Sequence, residues 1–146
     1  MIVKVKNFQE LDAQELYDIL QLRSEVFVVE QDCVYQDMDY KDQLALHLIG
    51  YKETRIVAYT RVFKPGYYFK EASIGRVVVR KLERKHGYGL EIMKASIETV
   101  YKNFGDTPIH ISAQKYLTEF YLSLGFNIVG EAYLEDGIPH VAMLKE

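Results

Sequence analysis

The sequence is poor in the residues that build disulfides, membrane spans and flexible linkers. Its 146 residues include one cysteine, three prolines and no tryptophan. The single cysteine, Cys33, excludes an internal disulfide, which is typical of a reducing compartment. No apolar run approaches the roughly 20 residues of a membrane-spanning helix. The first residues, MIVKVKNF, alternate like a strand and contain no signal-peptide core, so we expect a cytoplasmic protein.

A strong excess of positive charge is also missing. The formal net charge is −3, with 27% charged and 49% hydrophobic residues, which is typical of a globular domain. Without a basic face the chain is not expected to bind nucleic acid. The four histidines lack the spacing of metal ligands, so no metal site is expected. We predict a single domain over residues 1–146, with no nucleic-acid or membrane partner.

The stretch Ser73–Gly89, SIGRVVVRKLERKHGYG, combines a β-branched strand with a basic, glycine-containing loop. Residues 74–79 predict a buried strand, and an apolar helical pattern begins directly after the loop. A strand, a glycine loop and a helix N-terminus form an anion site, because backbone N–H groups and the helix dipole face the anion. Arg84 and Lys85 add positive charge. The expected ligand is a phosphate-bearing cofactor, and the alternative is a turn that uses glycine for geometry alone.

Hydrophobic periodicity predicts an α/β (α+β) fold. Helices are predicted from Asp12 to about Phe27, from Tyr88 to Asn103 and from Leu117 to Leu124. Strands are predicted at residues 1–7, 44–51, 55–63, 71–79, 108–114, 126–134 and 138–144. The resulting domain has a mixed, mostly antiparallel sheet of about seven strands, flanked by about four helices.

Three arginines raise a question of charge pairing. Arg23 lies on the apolar stripe of the first helix, where it either extends its head to water or pairs within a site. A hairpin centred near Tyr68 would bring Arg61 close to Arg76, unless the register slips. The packed, acidic loop at residues 28–40 is the expected source of counter-charges. The candidate substrate-facing residues are Arg23, Glu30, Asp37, Arg61 and Arg76.

Three features together resemble the GNAT superfamily of acyl-CoA-dependent N-acyltransferases. Arg84, Gly87 and Gly89 match its loop motif, Arg/Gln-x-x-Gly-x-Gly/Ala. A strand ends in Ala-Gln at Gln114, where many relatives carry asparagine, and FYLSLGF at 120–126 places Tyr121 ahead of Gly-Phe. The segments LRSEVFVVEQ, YQDMD and EDGIPH are similar to the ElaA-like group within that superfamily.

The resemblance implies a GNAT-like N-acetyltransferase that uses acetyl-CoA to acylate a primary amine of a small molecule or peptide. The basic loop would bind the pyrophosphate, and the backbone of residues 77–79 would pair with the pantetheine arm. The backbone N–H of Val78 would hold the oxyanion, and Tyr121 would act as acid or hydrogen-bond donor to the thiolate. The implied cofactor contacts are Val77, Val78, Val79, Arg84, Lys85, His86, Gly87, Tyr88, Gly89, Gln114, Phe120 and Tyr121.

Several alternatives stay open from the sequence. The general base could be Glu30, His47, His140 or a water chain, or the amine could arrive neutral. Tyr121 could simply pack the last helix, and the chain could be a non-catalytic acyl-CoA sensor on the same fold. A Cys33 nucleophile is disfavoured because it leaves the phosphate loop unexplained. The final hairpin is a candidate for pairing across a homodimer.

Overall fold

The computed structural model describes residues 1–146 and contains seven strands and three α-helices. In chain order they are β1 (Ile2–Asn7), α1 (Ala13–Arg23), β2 (Leu46–Lys52), β3 (Arg55–Phe63), β4 (Ala72–Val79), α2 (Tyr88–Phe104), β5 (Ile109–Gln114), α3 (Thr118–Ser123), β6 (Asn127–Glu135) and β7 (Ile138–Lys145). The strands form one sheet in the order β1-β2-β3-β4-β5-β7-β6. Only β4 and β5 pair in parallel, so the predicted mixed, mostly antiparallel sheet is confirmed, with three α-helices instead of about four.

Helix α1 starts where the sequence predicts and ends earlier. The Asp12 side chain accepts a hydrogen bond from the Glu15 backbone N–H, and the Glu15 carboxylate accepts one from the Asp12 N–H. This capping box satisfies two otherwise unpaired donors at the helix start. The helix does not continue to Phe27, because the backbone changes to π-helical turns over Ser24–Glu30. Turns of this kind are frequent at functional sites.

Two hydrophobic cores lie on the two faces of the sheet. The larger core packs α2 against the sheet, and Ile92, Met93 and Val100 of α2 are fully buried in it. The smaller core packs α1 against the opposite face, around Ile19 and Leu22. Side chains of β4 alternate between these cores, as strand geometry requires.

Strands β4 and β5 separate soon after they meet. They pair only at Ala72 with Ile109 and at Ser73 with His110, while β5 continues along β7 for its whole length. Beyond Ser73 the edge of β4 that faces β5 therefore has no neighbouring strand, while the other edge remains paired with β3. This divergence opens a cleft in the middle of the sheet.

A β-bulge interrupts β4 beside this cleft. Gly75 lies opposite Arg61 and Val78 opposite Tyr59, so two residues of β4 face the single residue between them on β3. Arg76, in the bulge, has a φ of 50°, a left-handed conformation that is uncommon for a non-glycine residue. Bulges change the direction of backbone and side-chain groups, which is why they occur next to active sites.

The final hairpin turns at Asp136 and Gly137. Both residues have positive φ, 52° and 77°, which an Asp-Gly pair adopts readily in two-residue hairpin turns. The turn brings the ends of β6 and β7 back over the cleft. None of the helices combines the length and apolarity needed to cross a bilayer.

Candidate active site

A cavity of about 650 Å³ occupies the cleft between β4 and β5. This volume is within the usual range for small-molecule and cofactor sites. Eleven of the twelve predicted cofactor contacts line it, namely Val77, Val78, Val79, Arg84, Lys85, Gly87, Tyr88, Gly89, Gln114, Phe120 and Tyr121. His86 does not line the cavity. Its side chain is half exposed and lies 4.0 Å from Glu83, and its predicted cofactor contact stays a prediction.

The basic loop ends in the N-terminus of α2. Gly87 is the N-cap residue and has a φ of 76°, a left-handed conformation that glycine adopts without a steric penalty. No side chain caps this helix, so the first N–H groups of α2 are available to a ligand. Together with Arg84 and Lys85, these donors suit a phosphate group. The residues present therefore fit the phosphate-bearing end of a cofactor.

Arg84 is held by Glu30 across the mouth of the cavity. Its two terminal nitrogens donate to the Glu30 carboxylate at 2.6 and 2.9 Å, and its Nε donates to the Val79 carbonyl at 3.1 Å. The hydrogen bond from Arg84 lowers the pKa of Glu30 below its usual range. Glu30 thus lies at the cavity as predicted, but as the partner of Arg84. A carboxylate paired in this way is a poor general base.

His140 enters the cavity from β7 with a defined tautomer. Its Nδ1 lies 2.7 Å from the backbone carbonyl of Ile138, and a carbonyl can only accept, so Nδ1 carries the proton. Nε2 is therefore the nitrogen that can take up a second proton, and it lies 3.4 Å from Oε2 of Glu135. Glu135 also accepts a hydrogen bond from Ser112 at 3.2 Å, and Ser112 contacts the Tyr133 hydroxyl. The side chain of His140 is thus a candidate base with a carboxylate beside it.

His47, the third candidate base, lies in the core of the sheet. It is 1% exposed and does not line the cavity. Its Nε2 donates to the Asp42 carbonyl at 2.9 Å, and its Nδ1 accepts from the Tyr59 hydroxyl at 2.5 Å. Burial lowers the pKa of His47 and favours the neutral ring. The prediction of a catalytic role for His47 is therefore corrected, since both nitrogens are occupied inside the protein.

Three arginines and three aspartates form a closed ring of alternating charge beside α1, which we call the Arg–Asp ring. In ring order its members are Arg23, Asp42, Arg61, Asp39, Arg76 and Asp37. Five of the six contacts are 2.6–2.9 Å long, and the sixth, from Arg76 to Asp39, is 3.6 Å. Each guanidinium touches two carboxylates and each carboxylate touches two guanidiniums. The ring as a whole carries no net charge.

The ring decides the alternatives that the sequence leaves open. Arg23 is fully buried and paired with a carboxylate, so the alternative in which its guanidinium extends to water is wrong. The predicted meeting of Arg61 and Arg76 is confirmed, because both reach Asp39. Burial alone would raise the pKa of Asp39, but the hydrogen bonds and charge of Arg61 lower it to about 2.

The ring residues differ in their access to the cavity. Arg76 borders the large cavity. Arg23 and Asp37 lie outside it and are engaged within the ring, so their predicted contact with substrate is corrected to a structural role. Arg61 also lies outside the large cavity and borders a second, smaller pocket.

Sequence reasoning missed Ser112 and Glu135. A signal for Ser112 was available, because Ile111 and Ala113 face the core and strand alternation then assigns Ser112 to the other face. Glu135 had no comparable signal, since its position over the cleft depends on the final hairpin. Gln114, predicted to contact the cofactor, lies in the cavity wall and exchanges amide hydrogen bonds with Gln31 at 3.3 and 3.4 Å.

Comparison with known proteins gives one consistent family. Residues 8–146 match the model of an acetyltransferase (GNAT) domain. Protein ElaA of Escherichia coli is 42% identical over 94% of this chain and 91% of its own length. Its crystal structure superposes with a TM-score of 0.93 over 99% of both chains.

Two further solved structures share the fold. An acyl-CoA N-acyltransferase from Pseudomonas aeruginosa superposes with a TM-score of 0.94 at 38% identity, covering 99% of both chains. An aminoglycoside 6′-N-acetyltransferase complexed with coenzyme A has a TM-score of 0.71 at 16% identity, over 99% of this chain and 96% of its own. The second likeness shows the fold alone.

Proposed function

Because the chain belongs to the GNAT acetyltransferase family, we propose that it transfers the acetyl group of acetyl-CoA to a primary amine of a small molecule or peptide. One observation carries this proposal. A single cavity extends from the N-terminus of α2 to Tyr121 and His140, so a phosphate site, a proton donor and a proton acceptor border the same space. That combination is what aminolysis of a thioester requires.

The donor supplies an activated thioester. Arg84, Lys85 and the N–H groups at the start of α2 would hold its pyrophosphate, with Arg84 partly released from Glu30. The edge of β4 from Val77 to Val79 has no strand beside it, since β5 has diverged. Its backbone groups are therefore free to pair with the amides of the pantetheine arm in the manner of an added strand.

Two groups are proposed to stabilise charge in the transition state. The predicted oxyanion donor, the N–H of Val78, points to β3, because the N–H of Arg80 two residues on donates to the Val57 carbonyl at 2.8 Å. The N–H of Val77, at the bulge, is therefore the proposed donor to the developing oxyanion, an interaction worth about 10²–10³ in rate. Tyr121 lines the same cavity, and burial raises its pKa above that of an ordinary tyrosine. Its hydroxyl therefore keeps its proton and is the proposed donor to the departing thiolate.

His140 is proposed to accept the proton of the attacking amine. Because Nδ1 donates to the Ile138 carbonyl, Nε2 is the nitrogen that would take the proton. Once Nε2 is protonated, the Glu135 carboxylate at 3.4 Å stabilises the imidazolium. The proton taken from nitrogen and the proton given to sulfur are thus handled by separate groups.

Binding of acetyl-CoA is expected to raise the thermal stability of the protein. Ligand at 100 times its Kd adds about 2.7 kcal/mol to the free energy of unfolding. Acetyl-pantetheine, which lacks the pyrophosphate, is the matched control and should stabilise far less, because Arg84 and the α2 N-terminus then have no anion to bind. Absence of any shift with acetyl-CoA would refute the proposal. Release of free thiol against a panel of amines then separates an enzyme from a non-catalytic sensor.

Replacing His140 by glutamine is expected to lower kcat/KM roughly 10²-fold. Glutamine keeps most of the volume and a hydrogen-bond donor but has no basic nitrogen. The measurement is kcat/KM against pH with the best amine of the panel. His110→Gln is the matched control, because His110 does not line the large cavity. Its ring stacks on that of Phe69, with the two ring centroids 3.8 Å apart. If kcat/KM of His140→Gln equals that of wild type, His140 is not the base. The amine then loses its proton to a water molecule in the site, or to solvent before it binds.

A further inference from the structure

Arg76 combines a position inside a strand with a backbone conformation that strands do not use. Six non-glycine residues have positive φ, and Arg76, at 50°, alone lies within a strand, while the other five lie in turns and bends. A side chain with a Cβ disfavours this conformation, because the Cβ approaches the neighbouring carbonyl oxygen. It persists only where the surrounding structure holds it, and it occurs most often at functional sites. The contacts of Arg76 therefore identify what holds the bulge of β4.

The Arg76 side chain is anchored in the acidic loop at residues 28–40. Its Nε lies 2.8 Å from Oδ1 of Asp37, and one of its terminal nitrogens donates to the Asp37 backbone carbonyl at 2.8 Å. Its guanidinium also lies over the Tyr35 ring, 5.9 Å from the ring centroid. Asp37 is held in turn by the buried Arg23, whose Nε donates to its Oδ2 at 2.8 Å. The anchor is therefore itself fixed, and the Arg76 guanidinium is committed to it.

The Val77 N–H belongs to the peptide group that follows Arg76. Because a peptide group is planar, the backbone angles of Arg76 set the direction of this N–H. Val77 lines the large cavity, and the edge of β4 beside it has no strand on the β5 side. If residue 76 relaxed to an ordinary strand conformation, the peptide group would turn and the N–H would face a different point. An oxyanion donor contributes only when it is aimed at the position where charge develops.

We propose that Arg76 is a positioning residue, whose ion pair with Asp37 holds the bulge so that the Val77 N–H is directed at the thioester carbonyl. This inference rests on the proposed function. In this role Arg76 acts through the backbone of its own strand and need not touch the substrate. The Arg–Asp ring thereby links α1, the acidic loop and β4 to the proposed oxyanion site.

The test compares Arg76→Ala with Arg76→Gly. Both variants lose the same side-chain contacts, but glycine adopts positive φ readily and alanine does not. We expect Arg76→Ala to lower kcat by about 10²-fold, with little change in KM for acetyl-CoA. Arg76→Gly should recover about tenfold of this loss, which corresponds to about 1.4 kcal/mol. If Arg76 instead bound the acceptor or only stabilised the ring, the two variants would be equally impaired.

Glu53→Ala and Glu53→Gly are the matched control pair. Glu53 also has positive φ, 58°, but it is exposed in the turn between β2 and β3 and does not line the large cavity. Glycine should again give the more stable variant, because alanine is strained at positive φ, but kcat should be the same in both. The Arg76 pair is also made together with Asp39→Asn, which keeps the Arg–Asp ring neutral if the single variants are unstable.

Infrared spectra of bound acetyl-CoA, labelled with ¹³C at the thioester carbonyl, report the hydrogen bond to that carbonyl without turnover. A donor lowers the stretching frequency, which should be lowest in wild type, intermediate in Arg76→Gly and highest in Arg76→Ala. If amines are acetylated and the two variants agree in kcat and in carbonyl frequency, the positioning role is refuted and the acetyltransferase stands. If acetyl-CoA binds but no amine reacts, the carbonyl frequencies alone decide. If acetyl-CoA does not bind, both the proposed function and this inference are refuted.

Discussion

Asp42→Asn is expected to destabilise the fold by about 3–5 kcal/mol, the usual effect of removing one partner from a buried ion pair. Asp42 joins Arg23 at 2.8 Å to Arg61 at 2.9 Å, and both arginines are at most 1% exposed. Asparagine has the same shape but no charge, so the Arg–Asp ring would carry an uncompensated positive charge in a buried setting. Urea unfolding measures the loss as a lower midpoint at an unchanged m-value.

The matched control for Asp42→Asn is Glu83→Gln, which removes an ion pair at the surface. Glu83 contacts Lys52 at 3.0 Å, and the lysine side chain is 47% exposed. Solvent screens such a pair, so no measurable change is expected. Adding Arg61→Met to Asp42→Asn restores neutrality and should destabilise less than the sum of the two single changes. Strict additivity of the two changes would contradict the coupling within the ring.

The fold was predictable because its signals are local. The Asp12 capping box, the strand pattern of residues 74–79 and the Asp-Gly turn at 136–137 each depend on residues close in sequence. The seven strands consequently appear near their predicted positions. The π-helical turns after Arg23 were not predictable in the same way, because a helical apolar stripe continues through them in the sequence.

The parts of the site that are formed by local backbone geometry were predictable. The parts formed by side chains that are distant in sequence were predictable to a smaller extent. The loop at 84–89 borders the cavity because a strand-loop-helix connection places it there. Arg23, by contrast, pairs with Asp37 and Asp42, which are 14 and 19 residues away. Its choice between water and a partner depends on how the acidic loop folds back, which no local pattern encodes.

His47 and His140 also show that side-chain surroundings cannot be read from a local sequence pattern. Both lie in strands, and both have a hydrogen bond to a backbone carbonyl that fixes one nitrogen. They differ in what the other nitrogen meets, which is the Tyr59 hydroxyl for His47 and the cavity beside Glu135 for His140. Strand position alone cannot separate a core histidine from a candidate base, because only the packing of neighbouring elements decides which face is open.

Tyr121→Phe is expected to lower kcat by about 10²–10³-fold while leaving the affinity for acetyl-CoA nearly unchanged. The ring itself packs edge-on against Phe120 and Phe126, with centroid distances of 5.1 and 6.1 Å, and phenylalanine preserves both contacts. Only the hydroxyl is lost, and with it the proposed donor to the thiolate. Tyr101→Phe is the matched control, because Tyr101 packs on the core from α2 and does not line the cavity.

The leaving group gives the sharper test of this role. An acetyl thioester whose thiol is more acidic departs without help from a donor, so the defect of Tyr121→Phe should shrink as the pKa of that thiol falls. In the wild type, burial raises the pKa of Tyr121, so its hydroxyl should not lose its proton as the pH rises towards 10. A decline of wild-type kcat between pH 8 and pH 10 that Tyr121→Phe abolishes would contradict this. If kcat of Tyr121→Phe equals that of wild type with every thioester, Tyr121 only packs α3, and water protonates the thiolate.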